Sequence, residues 1–290
     1  MSDKVNKHEL SRDIPDDIQR LVRQRDGFGC VVCGAGIYQY DHFNPEFSEA
    51  KAHHQDGIIL LCATCHGKKT KGLLSPETIA AAAKNPRCKQ VGFSREVFDI
   101  GSQHPAIVFG SLIFVNVRCL LRIHGEELLS ILPPELEHGP FRLSAKMANA
   151  RGDIVFEIHE NEWRIRSGNW DAQQIGNRII IRNGPRDIAL SIRSGPPSQL
   201  VVERLNMRWK DAKIEAREGA KAIAIFESGS RFETAEAQIF EADIGVDINE
   251  SGIGLGLGGS GGVFVGSGSI GTSGPRHRRT WQPSALKPTA

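Results

Sequence analysis

The sequence predicts an α+β protein in which a small cysteine-rich unit with helices precedes a larger unit made only of strands. Two Cys-x-x-Cys pairs lie within residues 30–65, and helix-forming segments flank them. From about residue 100, Val, Ile and Phe alternate with polar residues in short runs between turn pairs, which is typical of strands. We therefore expect a flexible N-terminus (1–13), a cysteine-rich domain (14–90), a β-rich domain (100–252) and a Gly/Ser-rich, basic tail (253–290).

The composition is that of an ordinary globular protein, with 40% apolar and 24% charged residues among 290. The net charge of +2 neither implies nor excludes a nucleic-acid partner. Six cysteines are too few for a disulfide-stapled secreted scaffold. The longest apolar run is interrupted by polar side chains, which disfavours a membrane span, and the polar residues 1–10 predict no signal peptide. We expect a cytoplasmic protein.

Two helices are predicted, one on each side of the cysteine pairs. The first follows Pro15 and carries the acidic pair Asp16-Asp17 at the positive end of its dipole. The second has Ser75 as a good N-cap, and Asn85-Pro86 ends it. Both helices therefore belong to the small unit, at its beginning and near its end.

The sharpest feature of the small unit is its two Cys-x-x-Cys pairs, formed by Cys30, Cys33, Cys62 and Cys65. Four thiolates on two turns can surround a zinc ion tetrahedrally. A segment of about 75 residues with few large apolar side chains would be marginally stable alone, and a structural zinc contributes on the order of 10 kcal/mol. We expect a structural Zn²⁺ here, with Cys88 and Cys119 as ordinary buried thiols.

The residues around the two cysteine pairs follow a recognisable order. A short strand ends in Asp41-His42, His53-His54 follows, and the second pair lies in Leu61-Cys62-Ala63-Thr64-Cys65-His66, with Lys69-Thr70 just beyond. Over roughly residues 14–88 this order resembles the HNH endonuclease family, in which C-x-x-C is followed by D/E-H, a central Asn or His, and L-C-x-x-C-H-x-x-K-T. The resemblance implies a ββα-metal fold, in which a hairpin and a helix hold one divalent cation.

The resemblance also implies the site residues. His42 would activate water, and Asp41 and His66 would hold a catalytic Mg²⁺ or Mn²⁺ away from the structural zinc. Phosphodiester hydrolysis needs a base with a near-neutral pKa and a cation, which these residue types supply. Asp41 and His42 are neighbours on a strand, so their side chains should point to opposite faces unless a bulge or the strand end intervenes.

One departure from the family concerns its central residue, which is usually Asn and braces the loop that holds the base. Asp56-Gly57 stands at that place here, and His53 and His54 precede it. Either histidine could brace the loop through a ring N–H, and the sequence leaves open which one does. We include His54 among the predicted catalytic-site residues.

Basic side chains near the motif predict phosphate contacts, from Lys68, Lys69, Lys71 and Arg23. The predicted partner is DNA, with RNA as a possibility. The β-rich domain is expected to be a sandwich, a barrel or a solenoid that recognises a protein partner, forms a homo-oligomer or positions the substrate. The alternative is a non-catalytic zinc ribbon that binds nucleic acid or protein, with a structural β domain. Such a ribbon would not need Asp41, His42 and His66.

Overall fold

The computed structural model describes residues 5–265, and strands account for most of its regular structure. At this level the predicted β-rich fold with a cluster of four cysteines is confirmed. Residues 1–4 and 266–290, which include most of the predicted tail, lie outside the described residues. Within the described part, no helix is long and apolar enough to cross a membrane.

The small unit contains four α-helices, one 3₁₀ turn and one β-hairpin. In chain order they are α1 (Asp16–Asp26), β1 (Gln39–His42), the 3₁₀ turn (Gln55–Gly57), β2 (Ile58–Leu61), α2 (Ala63–Thr70), α3 (Pro76–Lys84) and α4 (Arg87–Val91). Both predicted helices form: α1 follows Pro15 and ends at the left-handed Gly27, and the Ser75 hydroxyl caps α3 by accepting from Thr78 N at 3.2 Å.

The strand β2 organises this unit because its four apolar residues are buried on both faces. Ile58 and Leu60 pack against Val22 of α1. The alternate residues of β2, Ile59 and Leu61, pack with the cysteine cluster and with Ile79 of α3. Since β1 pairs antiparallel with β2, the hairpin places Asp41 opposite Ile59 and His42 opposite Ile58.

The remaining strands form two further sheets. In chain order these strands are β3 (Phe93–Val97), β4 (Ala106–Phe109), β5 (Leu112–Val115), β6 (Cys119–Ile123), β7 (Glu126–Leu132), β8 (Arg142–Ala148), β9 (Ile154–His159), β10 (Glu162–Arg166), β11 (Asp171–Ile175), β12 (Arg178–Gly184), β13 (Asp187–Gly195), β14 (Gln199–Trp209), β15 (Ala212–Arg217), β16 (Ile223–Phe226), β17 (Arg231–Glu233), β18 (Ala237–Phe240), β19 (Ile244–Asn249), β20 (Gly252–Leu257) and β21 (Gly262–Val265).

One sheet has eight strands in the order β20-β19-β6-β7-β8-β9-β10-β3. The other has eleven, with the main order β11-β12-β13-β14-β4-β5-β18-β21 and a branch through β15, β16 and β17. Most pairs are antiparallel, but β14 with β4, β18 with β5 and β19 with β6 are parallel. Apolar residues of both sheets form one continuous core, so the two sheets pack as the layers of a sandwich.

Three segments differ from the sequence-based expectation. The stretch between the two predicted domains is regular, because it forms α4 and the edge strand β3, which pairs with β10. The predicted tail begins with two paired strands, β20 and β21. Residues 5–13, predicted to be flexible, contact the small unit: Asn6 Nδ2 donates to Phe47 O at 2.5 Å and to Ala50 O at 2.6 Å.

Candidate functional site

The four predicted metal-binding cysteines come together at one point of the small unit. The Sγ atoms of Cys30, Cys33, Cys62 and Cys65 all lie within 4.8 Å of one another. The Sγ atoms of Cys33 and Cys62 are 3.6 Å apart, close to the roughly 3.8 Å expected when two thiolates bind one tetrahedral zinc at about 2.3 Å. These cysteines could therefore hold a structural zinc.

A tight turn and a helix N-cap in the chain around the cluster position these thiols. The left-handed Gly34 closes the first turn, in which its N–H donates to Cys30 O at 2.8 Å. Cys62 is the N-cap of α2, and its Sγ accepts from Cys65 N at 3.3 Å. The Cys33 thiol and nearby backbone N–H groups lower the pKa of Cys30 to about 5, although burial opposes them. The thiolate form, which binds metal, is thereby favoured at Cys30. The hydrogen bond to Cys30 raises the pKa of Cys33, and burial raises the pKa of Cys65.

The remaining two cysteines are outside the cluster, as predicted. Cys88 and Cys119 are fully buried, and burial raises the pKa of each to about 12. They are apolar core residues with inert thiols.

The helix α2 places a second group of side chains against β1. His66, in the first turn of α2, brings its Nε2 to 3.1 Å from Asp41 Oδ1. Lys69, one turn further on, brings its Nζ to 2.6 Å from Asp41 Oδ2 and donates to His42 O at 3.2 Å. The carboxylate of Asp41 is buried and contacts the side chains of both His66 and Lys69.

The imidazole of His42, next to Asp41, contacts a second histidine. Its Nε2 lies 3.1 Å from Nδ1 of His53. Burial is the largest cause that lowers the pKa of His42 below the ordinary value of 6.5, and His53 lowers it further, while Asp41 opposes both. These effects favour the neutral form of the imidazole.

Asp41 and His42 line the same open cleft of about 1000 Å³, together with His66 and Lys69. The cleft runs along the unpaired edge of β1, so consecutive residues from Gln39 to His42 all reach it. The strand also ends at His42, where the N–H groups of Phe43 and Asn44 both point to the Gly57 carbonyl. Neighbours on a strand are expected to point to opposite faces. Asp41 and His42 can nevertheless both line the cleft, because it follows the edge of β1 and the strand ends at His42.

Gly57 explains the departure from the central Asn of the family that the sequence resembles. A Cβ atom at Gly57 would lie 2.5 Å from the Asn44 carbonyl oxygen, so a side chain would not fit there. His53 takes the contact with His42 instead. His54, which the sequence analysis placed in the catalytic site, makes no hydrogen bond to His42; it is the exposed residue before the 3₁₀ turn. Of the two histidines that the sequence left open, His53 is the one that contacts His42.

The four basic residues predicted to contact phosphate differ in their accessibility. Lys69 lines the cleft, and Lys68 and Lys71 are exposed and form no ion pair with any described residue. Arg23 is buried, and its guanidinium donates to both carboxylate oxygens of Asp171, at 2.8 Å each. The phosphate-binding assignment of Arg23 is therefore wrong, because its charge is already paired away from solvent.

The sequence analysis missed the residues that reach the cleft from the N-terminal segment. Lys7 and Arg12 line it, and the Arg12 guanidinium lies 4.5 Å from the centroid of the Phe47 ring. No spacing pattern marked these residues, since residues 5–13 have neither helical nor strand periodicity. Their position depends on long-range contacts alone.

The fold and the site together define a β-rich protein with a candidate four-cysteine metal centre beside a cleft. Two carboxylates, Asp41 and Glu46, and two histidines, His42 and His66, line this cleft, and His53 contacts His42. Comparison of the chain with protein-family models, with curated proteins and with solved structures finds no match. The function is therefore argued from the geometry of the site.

Proposed function

We propose that this protein is a metal-dependent HNH endonuclease that hydrolyses phosphodiester bonds in DNA. One observation carries the proposal: Asp41 and His66, far apart in sequence, meet at 3.1 Å beside His42 in an open cleft. A ribbon that only binds a partner does not need a carboxylate, an imidazole ligand and a neutral imidazole base at one place.

Asp41 and His66 fit the task of holding a catalytic Mg²⁺ or Mn²⁺. Two neighbouring ligands of an octahedral ion at about 2.1 Å lie about 3.0 Å apart, which matches the 3.1 Å between Oδ1 and Nε2. The buried carboxylate keeps its other oxygen on Lys69. When bound, the cation would offset the charge that develops on the phosphate and on the leaving oxygen.

His42 is the proposed general base. With the proton on Nε2, His42 donates to His53, and Nδ1 is free to take a proton from water. The lowered pKa of His42 keeps this nitrogen unprotonated at neutral pH. The water oxygen would then form a bond to phosphorus as its proton passes to Nδ1 of His42. The bond to the leaving deoxyribose oxygen would break, and that oxygen would take a proton from solvent.

The structural zinc would position the residues of α2 and would take no part in the reaction itself. Cys62 and Cys65 lie at the start of α2, directly before His66. A metal bound there fixes the first turn of the helix against the hairpin, and with it the distance between His66 and Asp41. Lys68 lies on the same helix, and Lys71 follows its last residue. Both are exposed and would bind flanking phosphates.

The experiment compares cleavage of supercoiled plasmid, single-stranded DNA and RNA with Mg²⁺, with Mn²⁺ and with chelator. We expect cation-dependent cleavage of DNA by the unmodified protein. His42→Ala should lose about 10²–10⁴-fold in rate with unchanged zinc content and circular dichroism, because a general base contributes that much. His159→Ala, an exposed histidine of β9, is the matched control and should cleave normally.

Two results would contradict the proposal. The unmodified protein could leave all three substrates intact under every condition, or His42→Ala could cleave as fast as the unmodified protein. Either result would favour the non-catalytic zinc ribbon that binds nucleic acid or protein.

A further inference from the structure

The N-terminal segment 5–13 is a fixed wall of the cleft. A bridge between Val5 and Ser11 closes the segment into a loop. Asn6 fastens this loop to the turn after β1 through two hydrogen bonds, to Phe47 O and Ala50 O, and Lys7 pairs with Glu49. These contacts hold the segment beside the residues that line the cleft.

Arg12 is the basic residue of this wall whose charge forms no ion pair with any described residue. It is exposed, lines the cleft with Asp41 and His42, and forms neither an ion pair nor a side-chain hydrogen bond with any described residue. The arginines of α1 are engaged elsewhere: Arg23 pairs with Asp171, Arg25 pairs with Asp26, and Arg20 lies over the ring of Trp170. The exposed Glu46 also lines the cleft, 3.7 Å from Lys69, and among the described residues it forms no ion pair with Arg12.

The aromatic ring beneath Arg12 fixes its position. The guanidinium lies 4.5 Å from the centroid of the Phe47 ring, within cation–π range. The Phe47 ring in turn lies 5.4 Å from the ring of His42. A guanidinium held over a ring keeps its N–H edges free, and those edges match two oxygens of a phosphate.

We propose that Arg12 binds a backbone phosphate of the nucleic acid in the cleft, next to His42. The identity of the ligand rests on the proposed nuclease function, whereas the anion-binding role rests on the geometry of the wall. The carboxylate of Asp41 does not neutralise Arg12, because His66 and Lys69 occupy both of its oxygens. The proposed cation and Arg12 would both contact the phosphate within this cleft.

The test measures binding and cleavage separately. Binding of a duplex oligonucleotide is followed by fluorescence anisotropy at several salt concentrations without added divalent cation. Arg12→Ala should weaken binding about tenfold and flatten the slope of log affinity against log salt by about one, because one phosphate contact is lost. Arg12→Lys should keep the slope, since it keeps the charge. Arg151→Ala, an exposed arginine of the β region, is the control and should bind normally.

Cleavage in Mg²⁺ is then measured for the same variants. Arg12→Ala should lose about 100-fold in rate, and Arg12→Lys should recover only part of it, because an ammonium lacks the planar fork. Zinc content and circular dichroism should match those of the unmodified protein for every variant.

The outcomes separate this proposal from the proposed function. Unchanged affinity and salt slope in Arg12→Ala would overturn the role of Arg12 even if the protein cleaves DNA. A protein that binds but never cleaves, and loses affinity in Arg12→Ala, would overturn the nuclease and retain Arg12 as a phosphate ligand. If the unmodified protein binds no oligonucleotide, or binds inorganic phosphate as tightly, the assignment to a backbone phosphate is wrong.

Discussion

The contact between the imidazoles of His42 and His53 depends on details of single residues that the sequence pattern does not distinguish. The order of motifs predicted Asp41, His42 and His66, because each stands at a fixed place relative to the cysteine pairs. It could not distinguish His53 from His54, since both lie in an irregular segment before the 3₁₀ turn. The lack of room for a side chain at Gly57 was equally invisible, because it depends on the Asn44 carbonyl across the loop.

We expect His53→Ala to lower cleavage about tenfold, which is the usual effect of losing one hydrogen bond that orients a reacting group. Burial and His53 both lower the pKa of His42, so removal of His53 should raise that pKa towards its ordinary value. A base with a higher pKa is protonated over a wider acid range. The acid limb of the profile of kcat/KM against pH should therefore move to higher pH.

His54→Ala is the matched control for this prediction, because His54 is the sequence neighbour of His53 and lacks the contact with His42. It should leave both the rate and the pH profile unchanged. Equal effects of the two substitutions, or an unmoved acid limb in His53→Ala, would show that His53 does not orient the base.

Among the secondary-structure elements, α2 links the candidate metal centre to the cleft. Cys65 and His66 are consecutive, so one short helix carries a thiol of the cluster and the imidazole that meets Asp41. The sequence predicted this link because the spacing C-x-x-C-H is local. Composition left residues 252–274 either as a low-complexity extension or as close-packed terminal strands, because glycine is unfavourable in strands. Pairing with β19 and packing of Ile253 and Leu255 against the core stabilise β20 as a strand.

Cys30→Ser should lose the zinc and unfold the small unit over residues 14–88, because metal binding supplies much of the free energy of folding there. Cys88→Ser is the control: it alters a buried thiol outside the cluster and should retain the metal. The measurement is elemental analysis of the purified proteins together with thermal unfolding followed by circular dichroism. Unmodified protein that is folded but contains no zinc would contradict the assignment of the cluster.

In the whole molecule, the small unit contacts the β sandwich directly and is not joined to it by the connecting chain alone. Arg23 of α1 bridges the two: it binds Asp171 of β11 and donates to the hydroxyl of Tyr40 at 2.6 Å, and Tyr40 lines the cleft. Near the cysteine cluster, Gly36 N donates to Arg95 O of β3 at 2.8 Å. The sandwich therefore supports a wall of the cleft through a buried ion pair.

The sequence predicted the β-rich region from alternation and turn signals, but not how its strands pair. A period of two tells which face of a strand is buried and carries no information about the neighbouring strand. The parallel pairing of β14 with β4 joins segments about 90 residues apart, and the Arg23–Asp171 pair joins residues 148 apart. Such contacts follow from packing of the complete chain, which is why residues 93–97, between the two predicted domains, form a strand of the sheet.

We propose that Asp41 and His66 hold a divalent cation while His42 acts as the base. Plasmid nicking across a Mg²⁺ or Mn²⁺ titration distinguishes these two roles, for the unmodified protein, Asp41→Ala and His42→Ala, with the exposed Asp56→Ala as the control. Asp41→Ala should recover part of its activity as the cation concentration rises, because a lost ligand weakens metal binding, whereas His42→Ala should stay inactive throughout. Asp41→Ala that needs no more cation than the unmodified protein, or cleavage that persists in chelator, would contradict the claim.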